Sequence, residues 1–318
     1  MPVGRELHID TPLSNLSVAA FARSGVYVGQ QVFPIVPVGK QSDLYYTLDK
    51  DTWMRVHNTV RAPKTKARRI EFKVSSDSYF AKNYALGADN ALEDLDSADT
   101  AIMLRETGVE QVVDGLLKDY ELRCATKAIT GASSVQRLTG ATAWDAVSSA
   151  DIVGQVRDAK LGIFNSTGLT PNSIILDYQS YEYARQNERA FERFKYVEGG
   201  FLSDMQLKSL WGVDNIFLSK AIYNSATEGA TAARRSIWGP TALVCYINPV
   251  RGLKVATFGA SFRWTPAGFP APMAVTRQVF SGAGTENIEV LESQYFQDEK
   301  VLASDLGHYI NTKSGAAW

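Results

Sequence analysis

Apolar residues return at intervals of three, four or seven across residues 97–130, at Ala98, Ile102, Val109, Val113, Leu116, Tyr120, Cys124 and Ala128. That spacing puts them on one face and predicts a long amphipathic helix. Asp94, Asp96 and Asp99 stand at its start with Ser97 as a candidate cap, and Arg123 and Lys127 stand near its end, each sign matching the helix dipole. About 32 helical residues would extend roughly 48 Å, longer than most compact domains need.

Before the helix the pattern is extended. Residues 1–32 show no sustained periodicity and read as an arm, with a short helix near 16–22 and a turn at Gly29-Gln30-Gln31. The β-branched run 32–39 contains Pro34 and Pro37, which donate no ladder hydrogen bond, so a sheet edge or an extended arm is expected there. Residues 43–48 and 66–74 read as strands joined by a polar link with Asp49, Asp51, Arg55, Asn58 and Pro63, which predicts a long two-stranded hairpin. Two strands cannot bury a face of their own. The hairpin therefore calls for a cover, and a second copy of the chain is the expected one.

After the helix, helical stretches at 150–164 (closed by Gly168), 179–196 and 203–210 alternate with strands at 173–176, 214–218 and 242–247. This alternation predicts an α/β lobe over 169–248, with Gly199-Gly200 as a hinge and a loop of small residues at 224–233. From residue 253 onward the reading is strand after strand, at 253–257, 261–264, 273–280, 288–295, 300–304 and 308–311, with glycines 259, 268, 282 and 284 in the turns. That segment is expected to form an antiparallel sheet. The fold class is α+β.

Composition excludes more than it assigns. Hydrophobic residues make up 45% and charged residues 21%, the mix of an ordinary globular protein, and the net charge of −1 gives no global basic field for DNA binding. No apolar run approaches the ~20 residues that span a bilayer, so no membrane partner is expected. Cys124 and Cys245 lie in apolar stretches and read as inert buried thiols.

Candidate chemistry is sparse. None of the three histidines, His8, His57 and His308, has a second ligand at metal spacing, so no metal is expected. Val38-Gly39-Lys40-Gln41 lacks the remaining residues of a phosphate-binding loop, and no Gly-x-Ser-x-Gly elbow exists. No catalytic residue and no cofactor site are assigned. The aromatic residues Tyr181, Tyr183, Phe191 and Phe194 have helical spacing and read as core or interface.

One charge feature is concentrated: Arg61, Lys64, Lys66, Arg68 and Arg69 on the expected hairpin. Three readings are open. The cluster is a solvated edge that blocks aggregation, a grip on acidic groups of a neighbouring subunit, or a phosphate contact. For the second, Glu93, Asp94, Asp96 and Asp99 are the candidate partners.

Taken in order, these elements resemble the major capsid protein of tailed double-stranded DNA bacteriophages, the Hong Kong 97-type fold, over essentially the whole chain. The resemblance is carried by FPIVPVGKQSDLYYTLDKD before the hairpin and IMLRETGVEQVVDGLLKDYELRCA in the helix. LTPNSIILDYQSYEYA, WGVDNIFLSKA and SIWGPTALVCYINP carry it in the lobe, and EVLESQYFQDEKVLASDLGHYI looks like paired strands closing the last sheet. It implies an N-terminal arm at 1–32, an extended loop at 33–87, a peripheral domain with the spine helix at 88–168, an axial domain at 169–248 and a return to the peripheral sheet at 249–318.

It further implies a non-enzymatic shell subunit, made in the bacterial host cytoplasm and resident in the virion, forming pentamers and hexamers and rearranging from a compact precursor shell to an expanded one. The implied partners are a portal protein, a decoration protein and non-specific contact with packaged DNA. Because no charged helical segment precedes the arm, either a separate scaffolding protein or a mature form of the chain is expected, and the initial Met favours the scaffolding protein. An encapsulating compartment protein of the same fold is the alternative, and an α/β enzyme with a site assembled from distant residues is a third reading.

Overall fold

A computed structural model describes residues 8–9, 26–48, 54–61, 63–67, 69–70, 74–97, 104–193, 202–227, 229–250, 252, 255–267, 274–281 and 287–315. Two sheets are joined by one long helix. The first is built around the 14-residue strand Ile288–Val301, which carries Lys82–Ala91 along one edge and Ala274–Phe280 and Gly259–Trp264, end to end, along the other. All these pairings are antiparallel. Ile35–Val38 closes one border of the sheet, parallel to Gly259–Trp264. This is the edge position that Pro34 and Pro37 demand, since the missing N–H groups face no further strand. The remaining border pairs His8–Ile9 with Ala274–Phe280.

The second sheet has the order Ser134–Arg137, Gly307–Asn311, Thr241–Cys245, Ser173–Asp177, Asn215–Ser219. Its two outer pairings are parallel and its two inner ones antiparallel. Ser173–Asp177 and Thr241–Cys245 are buried at every position, as expected for central strands covered on both faces.

The long helix is Leu104–Gly131, 28 residues, or about 42 Å. Its N-terminal half, Val109 to Leu117, packs on Val275, Leu291 and Tyr295 of the first sheet. Its C-terminal half, Tyr120 to Ile129, enters the larger core around Trp144, Trp238 and the second sheet. One amphipathic stripe thus serves two cores in succession.

Several expectations are corrected. The long helix is described from Leu104, and residues 98–103 lie outside the described residues; Ser97 does not stand as a cap but ends the helix Leu92–Ser97, where its Oγ donates back to the carbonyl of Glu93. The hairpin pairs Ser42–Leu48 with Val74–Phe80, so the second strand runs on past the expected 66–74; 66–67 and 69–70 carry no strand, and 68 and 71–73 lie outside the described residues. The stretch 179–196 is broken: Tyr178–Gln186 and Glu188–Glu192 are separated by Asn187, which caps the second piece. The Asn187 amide also donates to the carbonyls of Val147 and Ala150. Of the strand expected at 253–257, residues 255–257 carry none and 253–254 lie outside the described residues; the two strands expected at 288–295 and 300–304 are one, ending at Val301. Gly307–Asn311 belongs to the second sheet rather than closing the first. Gly29–Val32 is a one-turn helix rather than a turn. The helix expected near 16–22 and the Gly199-Gly200 hinge lie outside the described residues.

Candidate inter-subunit surfaces

The hairpin has two different ends. At its base Tyr45 and Tyr79 are buried, and their rings lie 5.4 and 4.8 Å from that of Phe262. Phe80 N–H donates to Asp298, and Tyr45 OH to Asp77. Strand alternation puts Phe262, opposite Asp298, on the sheet face turned away from Glu299. The base is therefore covered by its own polypeptide, which corrects the expectation that the whole hairpin depends on a neighbour.

The tip differs. Among described residues 54–70 there is neither helix nor strand. Val56 and Val60 are 94% and 89% exposed, and Met54 and Ile70 are also exposed. Arg61, Lys64, Lys66 and Arg69 are exposed among them, while Arg68 lies outside the described residues. Large apolar side chains this open, interleaved with cations, form a surface without a cover in the single chain.

Glu93, Asp94 and Asp96 sit exposed on Leu92–Ser97, and Asp99 lies outside the described residues. Within the described chain no ion pair joins these carboxylates to the tip cations. The contact therefore cannot be credited to the single subunit; the geometry leaves both halves of it facing outward.

Of the charges that the fold pairs here, Arg123 and Lys127 were singled out from sequence, for the helix dipole, and their carboxylate partners on the sheet were not. Glu289 and Glu299 are fully buried on the helix-facing side of Ile288–Val301. Arg105 and Arg277 both bond Glu289. Arg123 bonds Glu299 (3.2 Å), Asp119 and the Tyr295 hydroxyl, and its guanidinium lies 3.6 Å from the centre of the Tyr84 ring. Lys127 reaches Asp298 and Glu299. Arg123 and Lys127 thus tie the helix to the sheet, and neither stands in its last turn, which carries no basic residue. A period-two strand reading held the clue, because Glu289 and Glu299 fall in phase with Leu291 and Tyr295.

Glu121 is a third buried carboxylate, and no cation pairs with it among the described residues. It accepts from the backbone N–H of Val28 (2.9 Å) and Gly29 (2.7 Å) and from the Trp238 indole (2.6 Å). Burial pushes its pKa above the ordinary value, against the pull of those three donors. A Cβ on residue 29 would lie 2.7 Å from the carboxylate, so glycine is required for this approach. The end of the arm, the long helix and the lobe meet at this one side chain. Cys124 and Cys245 are free and buried, their thiols pushed up by burial.

Among the described residues no group of three His, Cys, Asp or Glu side chains could hold a metal ion, and no helix is long and apolar enough to cross a membrane.

No protein-family model matches the chain. It is 24% identical over 315 residues to the major capsid protein of Pseudomonas phage JBD67, covering 97% of this chain and 98% of that protein. It is 22% identical over 312 residues to the major capsid protein of Burkholderia phage BcepMu, covering 96% and 97%. Among solved structures, a phage-related protein from Bordetella bronchiseptica RB50 superposes with a TM-score of 0.74 at 23% identity, covering 98% of this chain and all of that one. The capsid of cyanophage P-SCSP1u gives 0.61 at 13% identity, covering 89% and 87%. An encapsulin from Synechococcus elongatus PCC 7942 gives 0.54 at 9%, covering 100% and 96%. Over 96–97% of its length this chain is similar to two phage major capsid proteins, and it has the Hong Kong 97-type fold that solved phage shells share.

Proposed function

We propose that copies of this chain form pentamers and hexamers that close into the icosahedral head around packaged DNA, and that the hairpin tip of one copy lies on its neighbour. The observation that carries the contact is the contrast within the hairpin: a base buried on Phe262 and a tip with Val56 and Val60 almost fully exposed. Heterologous contacts repeated around a ring close it, and many weak contacts per subunit suffice to hold a shell. Arg61, Lys64, Lys66 and Arg69 face the acidic helix of the neighbour, Glu93, Asp94 and Asp96, in this arrangement. Arg68 and Asp99 extend the two clusters in sequence. Function is geometry, with no catalytic step. Synthesis in the host cytoplasm, a separate scaffolding protein, a portal, a decoration protein and non-specific contact with the packaged DNA belong to the same proposal. The encapsulin likeness keeps a protein compartment as the alternative, weaker because both sequence relatives are phage capsid proteins.

Electron microscopy of the purified protein tests the shell, with closed shells, tubes or rings expected. A monomer that persists at high concentration with scaffold supplied overturns it. The contact is tested separately by reversing Arg61, Lys64, Lys66 and Arg69 to Glu, which is expected to stop assembly while leaving the melting temperature unchanged. Adding Glu93→Lys, Asp94→Lys and Asp96→Lys is expected to restore particles. Normal assembly of the first variant removes the contact but not the shell.

A further inference from the structure

The helix Ile152–Thr167 buries Ile152, Val153, Val156, Ala159 and Ile163. On the side away from that stripe an amphipathic helix should be polar. Instead Leu161 and Phe164 are 49% and 46% exposed there, and Arg157 lies on the same line, four residues before Leu161. This line forms one wall of a groove of about 520 Å³, within the range of ligand clefts. Leu210 on the helix Asp204–Trp211 and Pro171 also line it.

Among the described residues the charge lining the groove has one sign: Arg157, Lys160 and Arg193 line it, and no Asp or Glu does. Lys160 is committed to the carbonyls of Trp211 and Gly212, both at 2.6 Å, and so fixes the groove's end. Among the described residues Arg157 pairs only with its exposed neighbour Asp158, a contact of little worth in water. Arg193 is exposed.

We infer that this groove is a docking site for an acidic amphipathic helix of a separate protein. Two apolar side chains one turn apart would rest on Leu161 and Phe164, and carboxylates on the flanks would meet Arg157 and Arg193. A phosphate backbone would leave the apolar wall uncovered. A second copy is the poorer fit, because its exposed acidic helix Leu92–Ser97 holds Leu92 and Leu95 half-buried against its own chain and has no free anchor. The inference rests on the groove alone and not on the shell.

The test uses the full chain and two fluorescent helical peptides of about 16 residues, long enough to be partly helical alone. Both carry Leu at positions i, i+4 and i+7, and one has Glu and the other Lys at the remaining positions. Fluorescence polarisation is expected to show saturable binding of the Glu peptide only. Arg157→Glu with Arg193→Glu should weaken it about tenfold or more, and Phe164→Ser should weaken it without changing the charge. All three positions are exposed, so the melting temperature should hold. Equal binding of both peptides, or affinity unaffected by the reversals, overturns the inference. So does a change of oligomeric state on charge reversal with peptide binding unaltered, which would assign the groove to a second copy.

Discussion

The two sheets are held by opposite means. In the second sheet the central strands Ser173–Asp177 and Thr241–Cys245 are buried throughout and packed by apolar side chains from both sides. In the first, the strand against the long helix offers Glu289, Ser293, Gln297 and Glu299 among its buried positions, and cations from the helix and the sheet pair the two glutamates. Apolar packing is non-directional and tolerates small slides. A buried carboxylate with a fixed cation does not, because a shift of one residue turns it to the other face and leaves its partner alone. The lobe is thus fixed by volume, and the helix on its sheet by register.

The sharpest way to break this contrast is Arg123→Ala. It leaves Glu299 buried with Lys127 alone and removes the bond to Tyr295 and the guanidinium over Tyr84. The expected loss is about 3–5 kcal/mol in urea unfolding, the range for orphaning one member of a buried pair. A loss under about 1 kcal/mol would show that the helix is held by its apolar stripe and that the charges are incidental.

Glu121 joins the two regions, and its effect is expected to be smaller and pH-dependent. Glu121→Gln keeps the shape but turns an amide donor toward donors, so one N–H among Val28, Gly29 and Trp238 is left unpaired, at about 1–3 kcal/mol. The folded pKa lies above the ordinary glutamate value of 4.5, so the folded chain holds this proton where the unfolded chain has released it. Stability from this group is therefore present below the unfolded pKa and lost as pH rises through the folded one. Wild type should gain relative to Glu121→Gln as pH falls through that window, measured by paired denaturation curves. A difference independent of pH would mean that the carboxylate does not titrate there.

What the sequence disclosed follows the same division. The helix stripe, the edge strand with its prolines and the central strands of the lobe were legible because each is a local pattern of period 3.6 or 2. The break at Asn187 was not, since its amide is satisfied by carbonyls about 40 residues away in Val147 and Ala150. Nor was the hairpin partner: Val74–Phe80 reads VSSDSYF, polar enough to pass for a link, and its apolar anchor Tyr79 is buried by Phe262. Gly307–Asn311 carries no local mark of which sheet it joins. Of the candidate contacts, exposure of the tip and the acidic helix agrees with the sequence reading, but their meeting needs a second subunit that no single-chain pattern describes. The buried glutamates went unmarked because burial of a carboxylate is decided by donors and cations elsewhere in the chain.

The smallest expected effect sharpens the comparison by holding the helix constant. Lys118 pairs with Asp114 at 2.6 Å, an i,i+4 contact on Leu104–Gly131 like that of Arg123 with Asp119, but both side chains are about half exposed, at 45% and 50%. Water already solvates each partner, so the pair gains little Coulomb energy and orders two flexible side chains. Asp114 also keeps the Tyr27 hydroxyl as a donor when the lysine is gone. Lys118→Ala is therefore expected to change stability by no more than about 0.5 kcal/mol, and to do so less as salt is raised. If it cost as much as Arg123→Ala, charge itself and not burial against Ile288–Val301 would be holding the helix, and the distinction between the two sheets would fail.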